Sequence, residues 1–213
     1  MRTSPKQAFL VPAFSRREFL RQAAVLSAIS LNAKQFATDV PAPLQGVIDG
    51  HTHFFDPTRH QGIPWPPETD RFLHRPVLPE EHRDLAAPNG VIGTVVVEAS
   101  AWLEDNQWLL DLPNRGSRWI LGIVGRLEPG HDMFREQLAR FARYPSFRGI
   151  RIGTARQKLN DSATIADLQR LIDADLSLDV NCDTAGLEDI AKLASALPNL
   201  RIMINHLANT KFP

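Results

Sequence analysis

The stretch Val47-Ile48-Asp49-Gly50-His51-Thr52-His53 begins apolar, turns polar and ends on two histidines that lie two positions apart. Side chains alternate between the faces of an extended strand, so we expect His51 and His53 to point the same way, with Asp49 below them on that face. Two imidazoles that converge at one strand end are suited to hold a divalent metal ion. An ordinary pair of loop histidines is the alternative on this pattern alone.

Apolar runs alternate with segments of helical periodicity from residue 47 onward. The runs are almost continuous in Val, Ile and Leu, which is typical of parallel strands buried on both faces. Six strands are predicted, at Val47–Asp49, Thr94–Glu98, Trp119–Val124, Phe147–Ile152, Leu176–Cys182 and Leu200–Ile204. Five helices are predicted between them, at Glu80–Ala87, Asp105–Leu112, Asp132–Tyr144, Ser162–Ala174 and Leu187–Leu197. This repetition predicts a parallel α/β fold.

Two α/β architectures fit this alternation. A doubly wound open sheet is complete with six strands, but no glycine-rich phosphate loop follows the first strand, where Gly50-His51-Thr52-His53 stands instead. Polar residues also gather at several strand ends, as barrel active sites require. We therefore predict a (β/α)8 barrel of the TIM type over residues 41–213, truncated after its sixth strand.

The composition excludes some classes of function. The 213 residues include 24 basic and 24 acidic side chains, so the formal net charge is zero. This balance offers no electrostatic footprint for nucleic acid or an anionic membrane, and a small molecule is the expected partner. The single cysteine, Cys182, excludes an internal disulfide framework and is predicted to be a small buried core residue.

The N-terminal segment resembles a bacterial export signal. Ser15-Arg16-Arg17-Glu18-Phe19-Leu20 is followed by a short apolar stretch at 22–31. A twin-arginine pair before such a stretch is typical of the Tat pathway, and the stretch is too short to be a permanent membrane span. Residues 1–40 are thus predicted to be a signal segment and linker, and the protein to be periplasmic or otherwise extracytoplasmic. A surface amphipathic helix with a chance arginine pair is the alternative.

A proline-rich connection follows the first strand, from residue 54 to residue 79. Its prolines disfavour helix and sheet, so an ordered loop above the His51 and His53 end is predicted. Trp65 is positioned either to wall a substrate pocket or to plug the barrel rim. The histidines in and just after this connection, His60, His74 and His82, are predicted to be loop or surface residues.

Three further polar residues occur at or near predicted strand ends. Glu98 closes the second strand, where it binds metal or substrate or forms a structural ion pair. Arg151 lies inside an apolar run, where an unpaired charge is costly, so it requires either an internal carboxylate or a substrate carboxylate. Asp183 is the outermost member of a polar stripe that also contains Asp179 and Asn181.

Several blocks in order resemble the amidohydrolase superfamily. They are IDGHTHFFDPTR, IPWPP, RPVLP, GTVVVEAS, ILGIVGRLEPG, FRGIRIG and PNLRIMINHLA, and they cover residues 47–208. The similarity is greatest to its amidohydrolase-related group, which contains L-fuconolactonase, L-rhamnonolactonase and 2-pyrone-4,6-dicarboxylate lactonase.

This resemblance implies a (β/α)8 barrel with its active site at the carboxyl ends of the strands. His51, His53 and His206 match metal or substrate ligands of the family. The implied cofactor is a divalent metal ion such as zinc, although some relatives work without metal. The family also carries a catalytic aspartate after an eighth strand, for which this sequence has no counterpart.

Three functional hypotheses follow. The first is a hydrolase that opens a lactone or related ester by activated water, with His206, Glu98 and Asp183 as catalytic residues and Arg151 and Trp65 as substrate contacts. The second is a decarboxylase on the same barrel. The third is an inactive remnant, suggested by the two strands that the pattern lacks.

Overall fold

The computed structural model describes residues 46–113, 118–153 and 159–211. The predicted signal segment and linker at 1–40, and the first residues of the predicted barrel domain at 41–45, lie outside these ranges. Within them, no helix combines the length and the apolar character that a membrane crossing requires.

The described residues form one sheet of six strands, each paired in parallel with the next. The strands are β1 (Val47–Thr52), β2 (Val91–Val97), β3 (Ile120–Gly125), β4 (Phe147–Gly153), β5 (Ser177–Asn181) and β6 (Ile202–Ile204). Their spatial order is the chain order, and the sheet curls into a half-barrel. The predicted barrel architecture is confirmed for these six strands. The doubly wound alternative is wrong, because that fold reverses its strand order partway.

One α-helix separates each pair of successive strands. The helices are α1 (Pro79–Ala86), α2 (Asp105–Asp111), α3 (Phe134–Ala142), α4 (Ser162–Asp173) and α5 (Leu187–Ala196). Asp161 caps α4, because its carboxylate accepts the Ala163 N–H at 3.1 Å. Strand β6 starts later than predicted, since the N–H of Leu200 donates to the carbonyl of Leu197 in a turn after α5.

The apolar core lies between the helices and the sheet as one continuous cluster. Helix α3 illustrates how a helix contributes to this core. Its residues Phe134, Leu138 and Phe141 are spaced four and three positions apart, so they share one face, and all three are buried. The Phe141 ring stacks on Phe147 of β4, with centroids 5.8 Å apart. Cys182 is 4% exposed, as predicted for a core residue. This packing holds the strands in place, and therefore also the residues at their carboxyl ends.

Replacing Phe141 with alanine is expected to lower the free energy of unfolding by about 3–5 kcal/mol, since the ring is fully buried and leaves a cavity. Urea unfolding followed by circular dichroism measures this change. The matched control is Phe72→Ala, whose ring is 81% exposed and whose loss is expected to stay within about 0.5 kcal/mol. Equal losses in the two variants would contradict the assignment of Phe141 to the core.

Candidate active site

A cavity of about 750 Å³ lies at the carboxyl end of the parallel strands. Every strand contributes to its wall through a residue at or just after its end. These residues are His53, Glu98, Arg126, Gly153, Asn181 and His206. Barrels of this type gather their reactive side chains at this end, so the cavity is the candidate active site.

Three imidazoles meet at this end of the sheet. The ring centroid of His51 lies 4.9 Å from that of His53 and 4.9 Å from that of His206. One nitrogen atom of each ring lies within 4.8 Å of those of the other two. Strands β1 and β6 are the two edges of the sheet, so its curvature is what brings His206 to the other two predicted metal ligands.

His51 and His53 have the chemistry that a divalent ion requires. The Nδ1–H of His53 donates to the Val97 carbonyl at 2.8 Å, which leaves the Nε2 lone pair for a ligand. The Nε2 of His51 is buried and has no hydrogen-bond partner among the described residues. Burial lowers the pKa of both imidazoles, to about 4 for His51, where the nearby His53 and Arg151 add to the effect. Neutral rings with an unpaired buried nitrogen fit a zinc-type ion.

His206 reaches the site from a left-handed turn after β6. The four residues from His206 to Asn209 have φ between 46° and 54°. A left-handed conformation costs non-glycine residues about 1–2 kcal/mol each, so this turn requires outside support. Asn205 supplies it by donating to the Asp179 carboxylate at 2.9 Å, and Asn209 by donating to the Cys182 carbonyl at 2.7 Å. The two asparagines thus tie the turn to β5 and its end.

Arg151 is buried in β4 and connects two other elements of the site. Its Nη1 donates to the backbone carbonyl of Glu98 at 3.0 Å, and its Nη2 donates to Nε2 of His206 at 3.3 Å. Charges on Glu98 and Asp179 stabilise the guanidinium from nearby. A neutral imidazole has one lone pair on its ring nitrogens, and Arg151 occupies that of His206. Arg151 therefore competes with a metal ion for this ring.

Glu98 follows β2 and lines the cavity, although only 6% of the residue is exposed. Burial raises the pKa of its carboxyl to about 7, against the opposing effect of Arg151 and Arg126. The Nη1 of Arg126 lies 3.9 Å from the nearer carboxylate oxygen. A carboxyl group that titrates near neutrality is suited both to accept and to release a proton.

Arg126 is a site residue that the sequence patterns did not identify. Its backbone N–H donates to Oδ1 of Asn106 at 2.7 Å, and Nδ2 of Asn106 donates to the Arg126 carbonyl at 2.8 Å. Gly125 allows this approach, because a Cβ atom at that position would lie 2.5 Å from the same Oδ1. The signal available in the sequence was a cation directly after a buried strand.

Trp65 lies on the cavity wall, in the proline-rich loop after β1. Its ring centroid is 6.0 Å from that of His53 and 5.5 Å from that of Phe55. The loop is tied to α2 by the ion pair of Arg59 with Asp105, whose atoms lie 2.8 Å apart. Because Trp65 is 42% exposed and faces the cavity, its position fits a pocket wall better than a plug.

Asp183 does not line the cavity, although it was predicted to be a catalytic residue at the outer end of a polar stripe. Its carboxylate accepts the N–H of Gly186 at 3.1 Å and caps the 3-10 helix Thr184–Gly186. Strand β5 ends at Asn181, so the alternation of faces does not extend as far as Asp183. Asn181 lines the cavity in its place.

Asp49 also departs from the predicted pattern. Asp49 pairs with Thr94 and Thr52 pairs with Val96, so β1 holds one more residue than β2 over this interval. Such a bulge interrupts the regular alternation of side chains. The Asp49 carboxylate contacts His82, which lies half-buried in α1.

Replacing Arg151 with methionine is expected to raise the affinity for zinc by at least about tenfold, because removing a unit charge about 4 Å away is worth between about 1 kcal/mol in water and about 4 kcal/mol near a protein surface, and about 1.4 kcal/mol is tenfold. The change frees the His206 lone pair and removes a cation near His51 and His53. Competition with a chromophoric chelator measures the affinity. Arg148→Met, which removes an exposed arginine of the same strand, is the control and is expected to leave it unchanged. An unchanged affinity in Arg151→Met would contradict the competition.

The amidohydrolase family profile matches residues 48–212 of this chain. L-fucono-1,5-lactonase from Burkholderia ambifaria is 35% identical over 167 residues, which are 76% of this chain and 56% of that protein. The chain therefore spans little more than half the length of this curated relative.

Solved structures show the same fold. An amidohydrolase from Burkholderia multivorans with bound zinc has a TM-score of 0.66 at 22% identity, over 76% of this chain and 57% of its own. A probable 2-pyrone-4,6-dicarboxylic acid hydrolase from Acinetobacter baumannii with bound citric acid has a TM-score of 0.59 at 16% identity. This match covers 78% of this chain and 60% of that one. The family match covers nearly all of the described residues and agrees with the sheet and the histidines at its mouth, so this chain belongs to the amidohydrolase family.

Proposed function

We propose that the protein is a hydrolase that opens a lactone or a related cyclic ester with water. The observation that supports this most is the meeting of His51, His53 and His206 beside a cavity that also holds the buried Glu98 carboxyl. The relative named L-fucono-1,5-lactonase suggests a sugar lactone as the substrate class. In the reaction, water adds to the carbonyl carbon, the ring C–O bond breaks, and a hydroxy acid results.

His51 and His53 would hold a divalent ion, with His206 joining them when it leaves Arg151. Such an ion supplies a Lewis acid for the carbonyl group and for water. The chain keeps His53 in the tautomer that presents Nε2, through the Val97 carbonyl. Zinc suits these nitrogen donors better than a hard oxygen-seeking ion does.

Glu98 is the proposed acid–base group. As a carboxylate it takes a proton from the attacking water, and as a carboxylic acid it returns that proton to the leaving ring oxygen. Its raised pKa, about 7, permits both states near neutral pH. Arg126 and Arg151 line the same cavity and would orient the carbonyl and stabilise the negative charge that develops on its oxygen. Trp65 would exclude water from one side of the bound ring.

The test uses the full chain, purified with a chelator and then supplied with zinc. A panel of five- and six-membered sugar lactones and matched open-chain esters is followed by acid release in a weakly buffered indicator assay. Zinc-dependent opening of at least one lactone, with little turnover of its open-chain ester, supports the proposal. Stoichiometric zinc without hydrolysis of any panel member would refute it. The same assay run on aromatic and unsaturated carboxylic acids detects decarboxylation as the competing outcome.

We also propose that the protein is exported by the Tat pathway, on the strength of Arg16-Arg17 and the apolar stretch after them. Replacing both arginines with lysine is expected to abolish export. Fractionation of a bacterial host into periplasm and cytoplasm, followed by immunoblotting, measures it. Equal periplasmic amounts of the two forms would contradict the proposal.

A further inference from the structure

A chain of hydrogen bonds runs from Trp119, the residue just before β3, to β1, and it lies outside the cavity lining. The indole N–H of Trp119 donates to Nδ1 of His82 at 2.7 Å. An indole can only donate, so Nδ1 of His82 carries no proton and the neutral ring bears its proton on Nε2. That nitrogen lies 3.2 Å from Oδ2 of Asp49 and donates to it. Trp119 thus selects the His82 tautomer that is able to hold the Asp49 carboxylate.

The second carboxylate oxygen of Asp49 completes the connection to the site. Oδ1 accepts the backbone N–H of His51 at 3.2 Å. This bond lies within the bulge of β1, between the pairs that Asp49 and Thr52 form with β2. The Thr94 hydroxyl holds the other side of the bulge by donating to the Asp49 carbonyl at 2.9 Å. The backbone of His51 is therefore held by a side-chain bond at a point where the regular ladder is interrupted.

We propose that Trp119, His82 and Asp49 are positioning residues that aim the His51 ring into the metal site. The inference rests on the proposed function of the three histidines. None of the three lines the cavity, so their effect passes through the His51 backbone. A bulge places a side chain by its backbone conformation, and a freed bulge lets that side chain turn away. Outer hydrogen-bond partners of metal ligands commonly change metal affinity by about 10–100-fold.

The first variant is Trp119→Phe, which keeps an aromatic ring and removes the indole N–H. Trp102→Phe is the matched control, because Trp102 is 40% exposed and lies outside this chain of bonds. Zinc affinity is measured by chelator competition, and exchange of the His51 amide proton by nuclear magnetic resonance. We expect Trp119→Phe to bind zinc about tenfold more weakly and its His51 amide to exchange several-fold faster. Trp102→Phe is expected to match the wild type in both.

Two variants of His82 distinguish its hydrogen-bonding role from its role in filling space. Leucine fills the site without hydrogen bonds, whereas glutamine offers both an acceptor and a donor. We expect His82→Leu to reproduce the Trp119→Phe effects and His82→Gln to restore much of the zinc affinity and amide protection. Circular dichroism checks that each variant is folded, and if Trp119→Phe does not fold, the His82 pair decides.

The two proposals fail in different ways. A wild-type chain that binds no zinc would refute the metal site, while the amide exchange of the variants would still decide the positioning. Zinc affinity and His51 exchange equal to wild type in folded Trp119→Phe and His82→Leu would overturn the positioning role.

Discussion

Replacing His53 with alanine is expected to lower the affinity for zinc by more than about 100-fold. Loss of a residue that only hydrogen-bonds to a metal ligand costs up to about 100-fold, and loss of the ligand itself should cost more. His53 is the imidazole whose tautomer is held by a backbone carbonyl, and its lone pair is therefore ready to bind without rearrangement. A ligand that is already oriented loses little conformational entropy when it binds. Its removal also leaves His51 and His206 as the only remaining members of the cluster.

Chelator competition measures the zinc affinity of this variant, and thermal unfolding with and without zinc provides a second readout. His60→Ala is the control, since His60 is an exposed loop histidine. Zinc binding is expected to persist to a lower pH than it would with free imidazoles. Burial lowers the pKa of both His51 and His53, so their neutral, metal-binding forms remain populated at lower pH. An affinity equal to wild type in His53→Ala would place the metal elsewhere.

Replacing Glu98 with glutamine is expected to lower the rate of lactone opening by about 100- to 10,000-fold, which is the usual contribution of a general acid–base group. The wild-type rate is expected to rise with pH through about 7, because the carboxylate is the form that accepts a proton from water. Glutamine cannot titrate, so the variant should show no such rise. Rates measured from pH 5 to pH 9 test both statements.

The same carboxyl makes the metal-free protein less stable as pH rises. Its folded pKa, about 7, lies above the reference value of 4.5, so the folded state binds the proton more tightly than the unfolded state. The stabilisation is complete below pH 4.5 and is lost as pH rises through about 7, with a total of about 3 kcal/mol. Glu98→Gln should lack this dependence.

Glu128→Gln is the matched control for both measurements. Glu128 contacts the same Arg126, at 3.3 Å, but its side chain is 52% exposed. Its replacement is expected to leave the rate and the pH dependence close to those of the wild type. A Glu98→Gln variant with a wild-type profile would remove Glu98 from the proposed mechanism.

Much of the fold was predictable because it depends on local patterns. Continuous apolar runs such as Thr94–Glu98 are long enough to identify buried parallel strands, and all six were found. The helix starting after Asp161 was predictable because a capping carboxylate acts on an N–H two residues away. The bounds of β6 were less predictable, since a turn at Leu200 depends on where α5 ends.

A position at a strand end was a useful guide to the candidate site, but it was not sufficient to identify all of its residues. His53 and Glu98 follow β1 and β2 and line the cavity. Asp183 was misplaced because β5 ends at Asn181, and the chain then turns into a 3-10 helix that uses the carboxylate as its cap. Arg126 directly follows β3 but was missed, because the Asn106 amide that holds it lies 20 residues away along the chain.

The order of amino acids was sufficient to specify a parallel strand–helix repeat with paired histidines at its first strand, because hydrophobic period and residue type are properties of short segments. The meeting of His51 with His206 was decided by folding, since it depends on the curvature summed over six strands. The same holds for the bond between Trp119 and His82 and for the pKa of Glu98. Burial and long-range contacts exist only once distant segments pack together, and no local pattern encodes their distances.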